Sequence, residues 1–307
     1  MPDRHVIVGA GAAGRQVAAH LAERGSRVVV VTRSGTDTGV AGAEHVAADA
    51  SDADRLTEIV SGADVLYNCA NPGDYTKWTS VWPPLASAML TAAERTGATY
   101  AITDNLYPYG PLDEPMTESH PDAATDTKGR LRATMWADAL AAHREGRVKA
   151  VEVRAGDYVG PGVGENGHIN RHLATLRAGK RAWVIGSADQ PHSFTDVGDL
   201  APLLVAAAAD ESSHGRIWHA PTNPPLTQRQ VIADVARAGG FPEPKVTAVP
   251  GALLAVMGSV VPLLREIRAV SYQWTRPYVL DDTASRAHFG IEPIPWDEVC
   301  RRTAVAG

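Results

Sequence analysis

The chain has 307 residues, 44% of them hydrophobic and 21% charged. That is enough to bury a large core, as one α/β unit or as two lobes sharing a cleft. Its formal net charge of -6 lacks the basic footprint of a nucleic-acid binder. The two cysteines, Cys69 and Cys300, make neither a metal spacing nor a disulfide framework, so no metal is expected. The first apolar run reads as a strand, not a signal peptide, which makes a reducing cytoplasm the default location.

His5 to Val8 is a short β-branched run. It opens into Gly9-Ala10-Gly11-Ala12-Ala13-Gly14 and then an alanine-rich helix to Arg24. Strand, Gly-x-Gly-x-x-Gly and helix in that order form the fingerprint of a dinucleotide site. Gly9 permits the tight turn, Gly11 admits the pyrophosphate, and Gly14 lets helix and strand approach. The amides of Ala12 and Ala13 open the helix, whose N-terminus favours phosphate. Arg27 to Val31 reads as a parallel strand covered on both faces. It ends at Thr32-Arg33, where an NAD site usually places an acid for the ribose. A guanidinium pairs with a 2′-phosphate that a carboxylate would repel, so NADP(H) is expected over NAD(H).

Glu44 to Ala48 reads as a third strand, with Asp49 after it to contact the adenine or cap a turn. Asp64 to Cys69 is a fourth, ending in the small-residue loop Asn68–Gly73, where Ala70 lets a cofactor pass close to backbone. Pro83 and Pro84 suit the first turn of a helix that runs to Thr96 and closes at Gly97. Tyr100 to Thr103 is a fifth strand, followed by Asp104-Asn105-Leu106-Tyr107-Pro108-Tyr109-Gly110-Pro111.

At this point the residues carry a resemblance. The glycine fingerprint, the fourth strand ending in Asn-Cys-Ala, and the Tyr-Gly-Pro after the fifth resemble the extended or atypical short-chain dehydrogenase/reductases, among them the NAD-dependent epimerase/dehydratase proteins. Arg154 to Gly162, Phe194 to Leu200 and Val279 to Pro293 resemble the later segments of that family. The resemblance implies a doubly wound parallel Rossmann sheet with a smaller C-terminal substrate lobe. Residues 1–155 would be the dinucleotide domain, with 188–220 packing back on it, and 156–187 with 221–307 the lobe.

The family's Tyr-x-x-x-Lys pair works with a hydroxyl residue at the end of the fifth strand. Tyrosine is its acid/base, and a nearby lysine lowers the tyrosine pKa. The resemblance makes Lys128 the lysine, expected to hold the cofactor ribose, and places Ala124 at the tyrosine position and Asn105 at the serine position. Asn105 can still donate a hydrogen bond to a carbonyl oxygen. The replacement proton donor is sought among Tyr107, Tyr109, Asp157, Tyr158 and His192, with Tyr107 first because it lies near the strand end.

Thr127 to Arg144 is helical in pattern, Lys149 to Arg154 strand-like, and Gly156 to Gly167 a glycine-rich cleft loop. His168 and His172 stand four apart without a third ligand, so a solvated or capping role is expected rather than a metal. Gln190 and His192 are candidates to face substrate. Thr227 opens a helix with Gln230 placed for a capping box. Val246 to Leu264 is apolar but broken by prolines and glycines, and reads as two short buried helices rather than a membrane span.

The sequence therefore points first to an NADPH-dependent reductase of a small carbonyl or imine-type substrate, which needs no tyrosine if the substrate is already activated. The alternatives are an NAD(P)-dependent epimerase/dehydratase or non-redox isomerase or cyclase, and a non-catalytic NADP(H) sensor. A small molecule is the expected partner, not nucleic acid or membrane, and a homodimer is left open.

Overall fold

The computed structural model describes residues 3–250, 266 and 268–306. The first half alternates strand and helix: β1 (Arg4–Val8), α1 (Ala12–Glu23), β2 (Arg27–Thr32), β3 (Ala43–Ala47), α2 (Ala53–Val60), β4 (Val65–Asn68), α3 (Trp78–Thr96), β5 (Thr99–Asn105), α4 (Thr127–Arg144) and β6 (Ala150–Ala155). The chain then runs through β7 (Asp157–Val159), α5 (Leu173–Arg177), β8 (Ala182–Val184), β9 (Pro191–His192), β10 (Phe194–Asp196), α6 (Val197–Ala209), β11 (Ile217–His219), β12 (Leu226–Thr227), α7 (Gln228–Ala238) and β13 (Val246–Ala248). Three further helices, Tyr272–Thr275, Thr283–Phe289 and Trp296–Val305, follow.

Seven parallel strands form one sheet in the order β11-β6-β5-β4-β1-β2-β3. Such a sheet is covered on both faces because its helical crossovers lie on one side or the other; the β2–β3 connection alone among those through β6 carries no helix. Alternation along β1 shows this directly. Val6 and Val8 pack with Leu56, Met89 and Met135 beneath α2, α3 and α4. Ile7 faces the opposite way, with Val17, Leu21, Leu200 and Leu203 of α1 and α6. Each of these strand residues is at most 3% exposed, and burial of each side chain contributes ~1.5–3 kcal/mol. A separate buried cluster gathers Leu173, Val184, Phe194, Val231 and Val299.

Two local expectations change. Helix α3 begins at Trp78, so Pro83 and Pro84 lie inside it rather than in its first turn. Trp78 and Trp82, both buried, share one helical face and anchor the added turn. The carbonyls that lose their proline partners belong to Thr79 and Ser80, which are exposed to water. Of the apolar stretch from Val246, residues Val246–Ala248 form a strand parallel to β8 rather than a helix, and residues from 251 to Leu264 lie outside the described residues. Among the described residues no helix is long and apolar enough to cross a membrane.

Candidate active site

Strand order reverses between β1 and β4: β2 and β3 extend one way, β5, β6 and β11 the other. The carboxyl edge at such a switch point is where open α/β sheets bind ligands. Gly9 has φ +103°, and a Cβ on it would lie 2.6 Å from the Cys69 carbonyl oxygen. A Cβ on Gly14 would lie 2.0 Å from the Gly9 carbonyl oxygen, whereas one on Gly11 would meet nothing within 4 Å. Two glycines are thus demanded by the protein's own close approach, and the third faces open space. Gly11 is also the N-cap of α1, with no side-chain cap and no acid in the first turn. The amides of Ala12 and Ala13 have no protein acceptor among the described residues. This cradle fits a pyrophosphate. Ala70 closes its floor, its amide donating to Asn68 Oδ1 at 3.3 Å.

At the adenosine end, Thr32 Oγ1 accepts the Gly35 amide at 3.0 Å. Arg33 is exposed and makes no ion pair among the described residues. Asp49 is committed to the turn: its Oδ1 accepts the amide and the hydroxyl of Ser51 at 2.9 and 2.7 Å. Those bonds, with a smaller contribution from the charge of Arg33, hold its carboxyl below the usual range.

Asn105 ends β5, register partner of Ala155 on β6. Its Oδ1 accepts the Tyr107 amide at 2.9 Å and fixes the turn that follows. Tyr107 is buried, its hydroxyl 3.0 Å from that of Tyr75 and receiving Gln273 Nε2 at 3.3 Å. Burial first, then Tyr75 and the charge of Asp157, push its phenol well above the ordinary tyrosine value, so it stays protonated.

Asp126 caps α4, its Oδ1 accepting the amides of Lys128 and Gly129 at 3.0 and 2.9 Å. Ala124 lies before that cap, in a loop held by Arg154, which donates to both oxygens of Asp122 at 2.6 and 3.0 Å. Ala124 and Lys128 therefore do not share a helical face. Lys128 is only 2% exposed, not a solvated lysine at a helix start. Its Nζ is paired with the Glu266 carboxylate and lies 5.4 Å from the centre of the Tyr75 ring. A cavity of about 90 Å³ opens beside it, lined by Tyr75, Thr76, Thr79, Thr127, Lys128 and Glu266 among others.

His192 is 2% exposed. Its Nδ1 is 3.0 Å from the Gln273 carbonyl oxygen. Its Nε2 stands 3.0 Å from Asp157 Oδ2, off the hydrogen-bonding axis. Trp274 Nε1 donates to the same oxygen at 3.4 Å. Burial alone would raise the Asp157 carboxyl, but the His192 contact, the nearby histidines and the indole N–H outweigh it and hold the group at about 2. His168 and His172 are buried, not solvated. His168 contacts Gln228 Oε1 at 2.6 Å and stacks on Trp274 at 4.7 Å between ring centres, and burial pushes its imidazole down to about 3. No group of three or more His, Cys, Asp or Glu side chains among the described residues is arranged to hold a metal.

Asn105, Tyr107 and the start of α4 thus meet at the carboxyl edge of β5 and β6. Gly129 makes that meeting close: a Cβ on it would lie 2.5 Å from the Tyr107 carbonyl oxygen. The loop after β7 completes the cleft, since a Cβ on Gly162 would lie 3.8 Å from Ala12 Cα. A larger groove of about 580 Å³ lies at the β11 edge, lined by Trp136, Leu140, Arg216, Ile217 and Asp281 among others, and holds none of the candidate residues. Sequence reasoning missed Glu266, Gln273 and Arg132. Arg132, one turn beyond Lys128, is 4% exposed, its Nε 3.3 Å from Asp104 Oδ1. Its spacing from Lys128 was the available signal.

Residues 5–220 match the NAD dependent epimerase/dehydratase family. A dTDP-6-deoxy-L-talose 4-dehydrogenase (NAD(P)(+)) of Kitasatospora kifunensis is 24% identical over 261 residues, covering 80% of this chain and 81% of that protein. The dTDP-glucose 4,6-dehydratase of Bacillus anthracis str. Ames, solved with NAD, superposes with a TM-score of 0.81 at 14% identity, over 98% of this chain and 95% of that one. The Bordetella bronchiseptica enzyme WbmH, solved with NAD+, gives 0.77 at 20% identity, over 100% and 98%. The family match favours the epimerase/dehydratase alternative over a reductase of a carbonyl or imine.

Proposed function

We propose, for a chain that belongs to the NAD dependent epimerase/dehydratase family, that it oxidises one carbinol carbon of a sugar-type substrate and returns the hydride within the same turnover. A bound NAD(P) would supply the hydride acceptor and later the donor. The observation that carries the reading is convergence. The glycine cradle lies at the switch point, and the ends of β4, β5 and β6, with Asn105 closing β5, lie on that same carboxyl edge of the parallel sheet.

The chain's own residues divide the work. The free amides at the start of α1 hold the pyrophosphate. Arg33, exposed and without an ion pair among the described residues, selects a 2′-phosphate, which favours NADP(H) over NAD(H). Asn105, anchored through its Oδ1, keeps its side-chain amide to donate to the substrate oxygen. The names of the relatives support a nucleotide-linked hexose as substrate class.

The test is to incubate the protein with NADP or NAD and a panel of dTDP- and UDP-hexoses, following sugar chemistry by NMR and nicotinamide absorbance together. Sugar conversion with no net absorbance change is expected. Stoichiometric oxidation of NADPH by a simple carbonyl or imine would replace this reading with the reductase. Tight dinucleotide binding with no turnover of either panel would replace it with the sensor.

A further inference from the structure

We propose that Asp157 is a specificity-determining residue whose free carboxylate oxygen receives an ammonium group of the substrate, so that the preferred hexose carries an amino substituent. This rests on the reading above for a sugar as substrate, and it deepens that reading by naming which sugars.

Register brings Asp157 to the place where Asn105 stands. Asn105 and Ala155 are partners at the ends of β5 and β6, and Asp157 opens β7 two residues later. Its side chain is 24% exposed, yet burial is the largest influence on its carboxyl. A group that is deep and still open to water stands on the wall of a recess. After burial, its charge is among the influences that raise the phenols of both Tyr107 and Tyr75. Those two hydroxyls are 3.0 Å apart, and Asn105 Oδ1 holds the Tyr107 amide. The carboxylate, the two phenols and Asn105 therefore gather at one end of the sheet.

The two oxygens of Asp157 differ. Trp274 Nε1 and His192 Nε2 both approach Oδ2, at 3.4 and 3.0 Å. Oδ1 has no hydrogen-bond partner among the described residues and is not sealed off. Neither lysine nor arginine pairs with this carboxylate among the described residues; its one ion-pair partner is His192. A second acceptor nearby is also unused. Gln273, whose backbone carbonyl meets His192 Nδ1, is fully buried, and its Oε1 has no partner.

The recess thus offers acceptors, one of them charged, where a buried carboxylate without full compensation is costly. An ammonium brings three donors and no acceptor, a hydroxyl only one donor. A carboxylate or phosphate on the substrate would set like charge against Asp157. The aromatic rings of Trp274, Tyr75 and Tyr107 in the same surroundings also favour a cation.

The experiment uses matched hexoses that differ only in an amino group for a hydroxyl, in N-acetylation of that amine, or in a carboxylate for the hydroxymethyl group. Each is offered free and nucleotide-linked, with NADP present, to the wild type and to Asp157→Asn. Binding is read by isothermal titration calorimetry and turnover as kcat/KM. The wild type should bind the amino hexose at least ~10-fold more tightly than its hydroxyl counterpart, the scale of one charge-assisted hydrogen bond, and the uronic acid least. Asp157→Asn keeps the shape and the acceptor for Trp274, and should bring the amino-to-hydroxyl ratio to within about twofold of one. A wild type without the amino preference, or an asparagine variant that retains it, overturns the proposal. Should Asp157→Asn fail to fold, the N-acetyl hexose decides on the wild type: it should forfeit the preference, and binding equal to that of the free amine overturns the proposal. Preferential binding of the amino hexose without turnover would sink the proposed function and leave Asp157 in its role. Conversion of a neutral hexose with no preference for its amino counterpart would do the reverse, and no binding of any hexose would end both.

Discussion

Gly11→Ala separates the fold from the cofactor site. Gly11 has φ -69° and ψ -171°, a backbone conformation open to any residue, and a Cβ there meets no protein atom within 4 Å. The substitution therefore meets no steric cost, only that of alanine as a poorer N-cap than glycine. Restricting the unfolded chain offsets that by ~0.4–1 kcal/mol, so Tm should move by no more than ~2 °C. A pyrophosphate in the cradle would meet the new methyl group and lose at least one charge-assisted bond to backbone amide, worth ~1.5–3 kcal/mol, or ~10- to 150-fold in Kd. Gly14→Ala is the contrast, because its Cβ would sit 2.0 Å from the Gly9 carbonyl oxygen; it should lower Tm as well as affinity. Thermal melts and NADPH titrations on both variants check this. If Gly11→Ala binds the dinucleotide as tightly as the wild type, no pyrophosphate crosses this turn and the cofactor argument fails.

Three further outcomes are expected. Arg33→Ala should lower NADPH affinity relative to NADH at least ~10-fold, since it removes the cation at the end of β2 proposed to meet the 2′-phosphate; an unchanged ratio in parallel titrations would refute that role. Tyr107→Phe removes a hydroxyl bonded to Tyr75 and Gln273, so it should cost ~1–3 kcal/mol in a urea melt yet lower kcat less than tenfold; a larger kcat loss would make Tyr107 the proton donor. His219 is fully buried, with Nδ1 2.8 Å from the Asp281 carbonyl and Nε2 2.7 Å from the Tyr109 hydroxyl. That pairing suits the neutral ring, Nδ1–H donating and Nε2 accepting, and burial pushes its imidazole down to about 3. The unfolded chain then binds more protons than the folded one between about pH 3 and 6.5, so stability rises with pH across that window. This residue alone should make the protein ~3 kcal/mol less stable at about pH 4 than at about pH 7; His219→Gln, compared by urea titration at both, should show a smaller difference, and an equal one would refute the assignment.

What the sequence disclosed was what short-range chemistry writes. The strand, glycine turn and helix from Arg4 to Glu23 are set by residues within a few positions of one another, and the alternation of strands and helices through β6 follows from the same periodicity. The start of α4 was legible too, through its cap. Asp126, followed by Thr127 and Lys128, is an N-cap signal, and it places Ala124 outside the helix before any counting of Tyr-x-x-x-Lys begins. The partners that define the site were a different matter. Lys128 meets Glu266 from 138 positions away, and His192 meets the Gln273 carbonyl from 81. Neither separation leaves a local trace, because a contact across the cleft depends on how the lobe folds back over the sheet. The chemistry of Asp157 shows the cost of that blindness. As a lone carboxylate after β6 it reads as one candidate acid among several. Between a buried histidine and an indole N–H it is held ionised. So held it has no proton to give, which none of its neighbours in the sequence foretells.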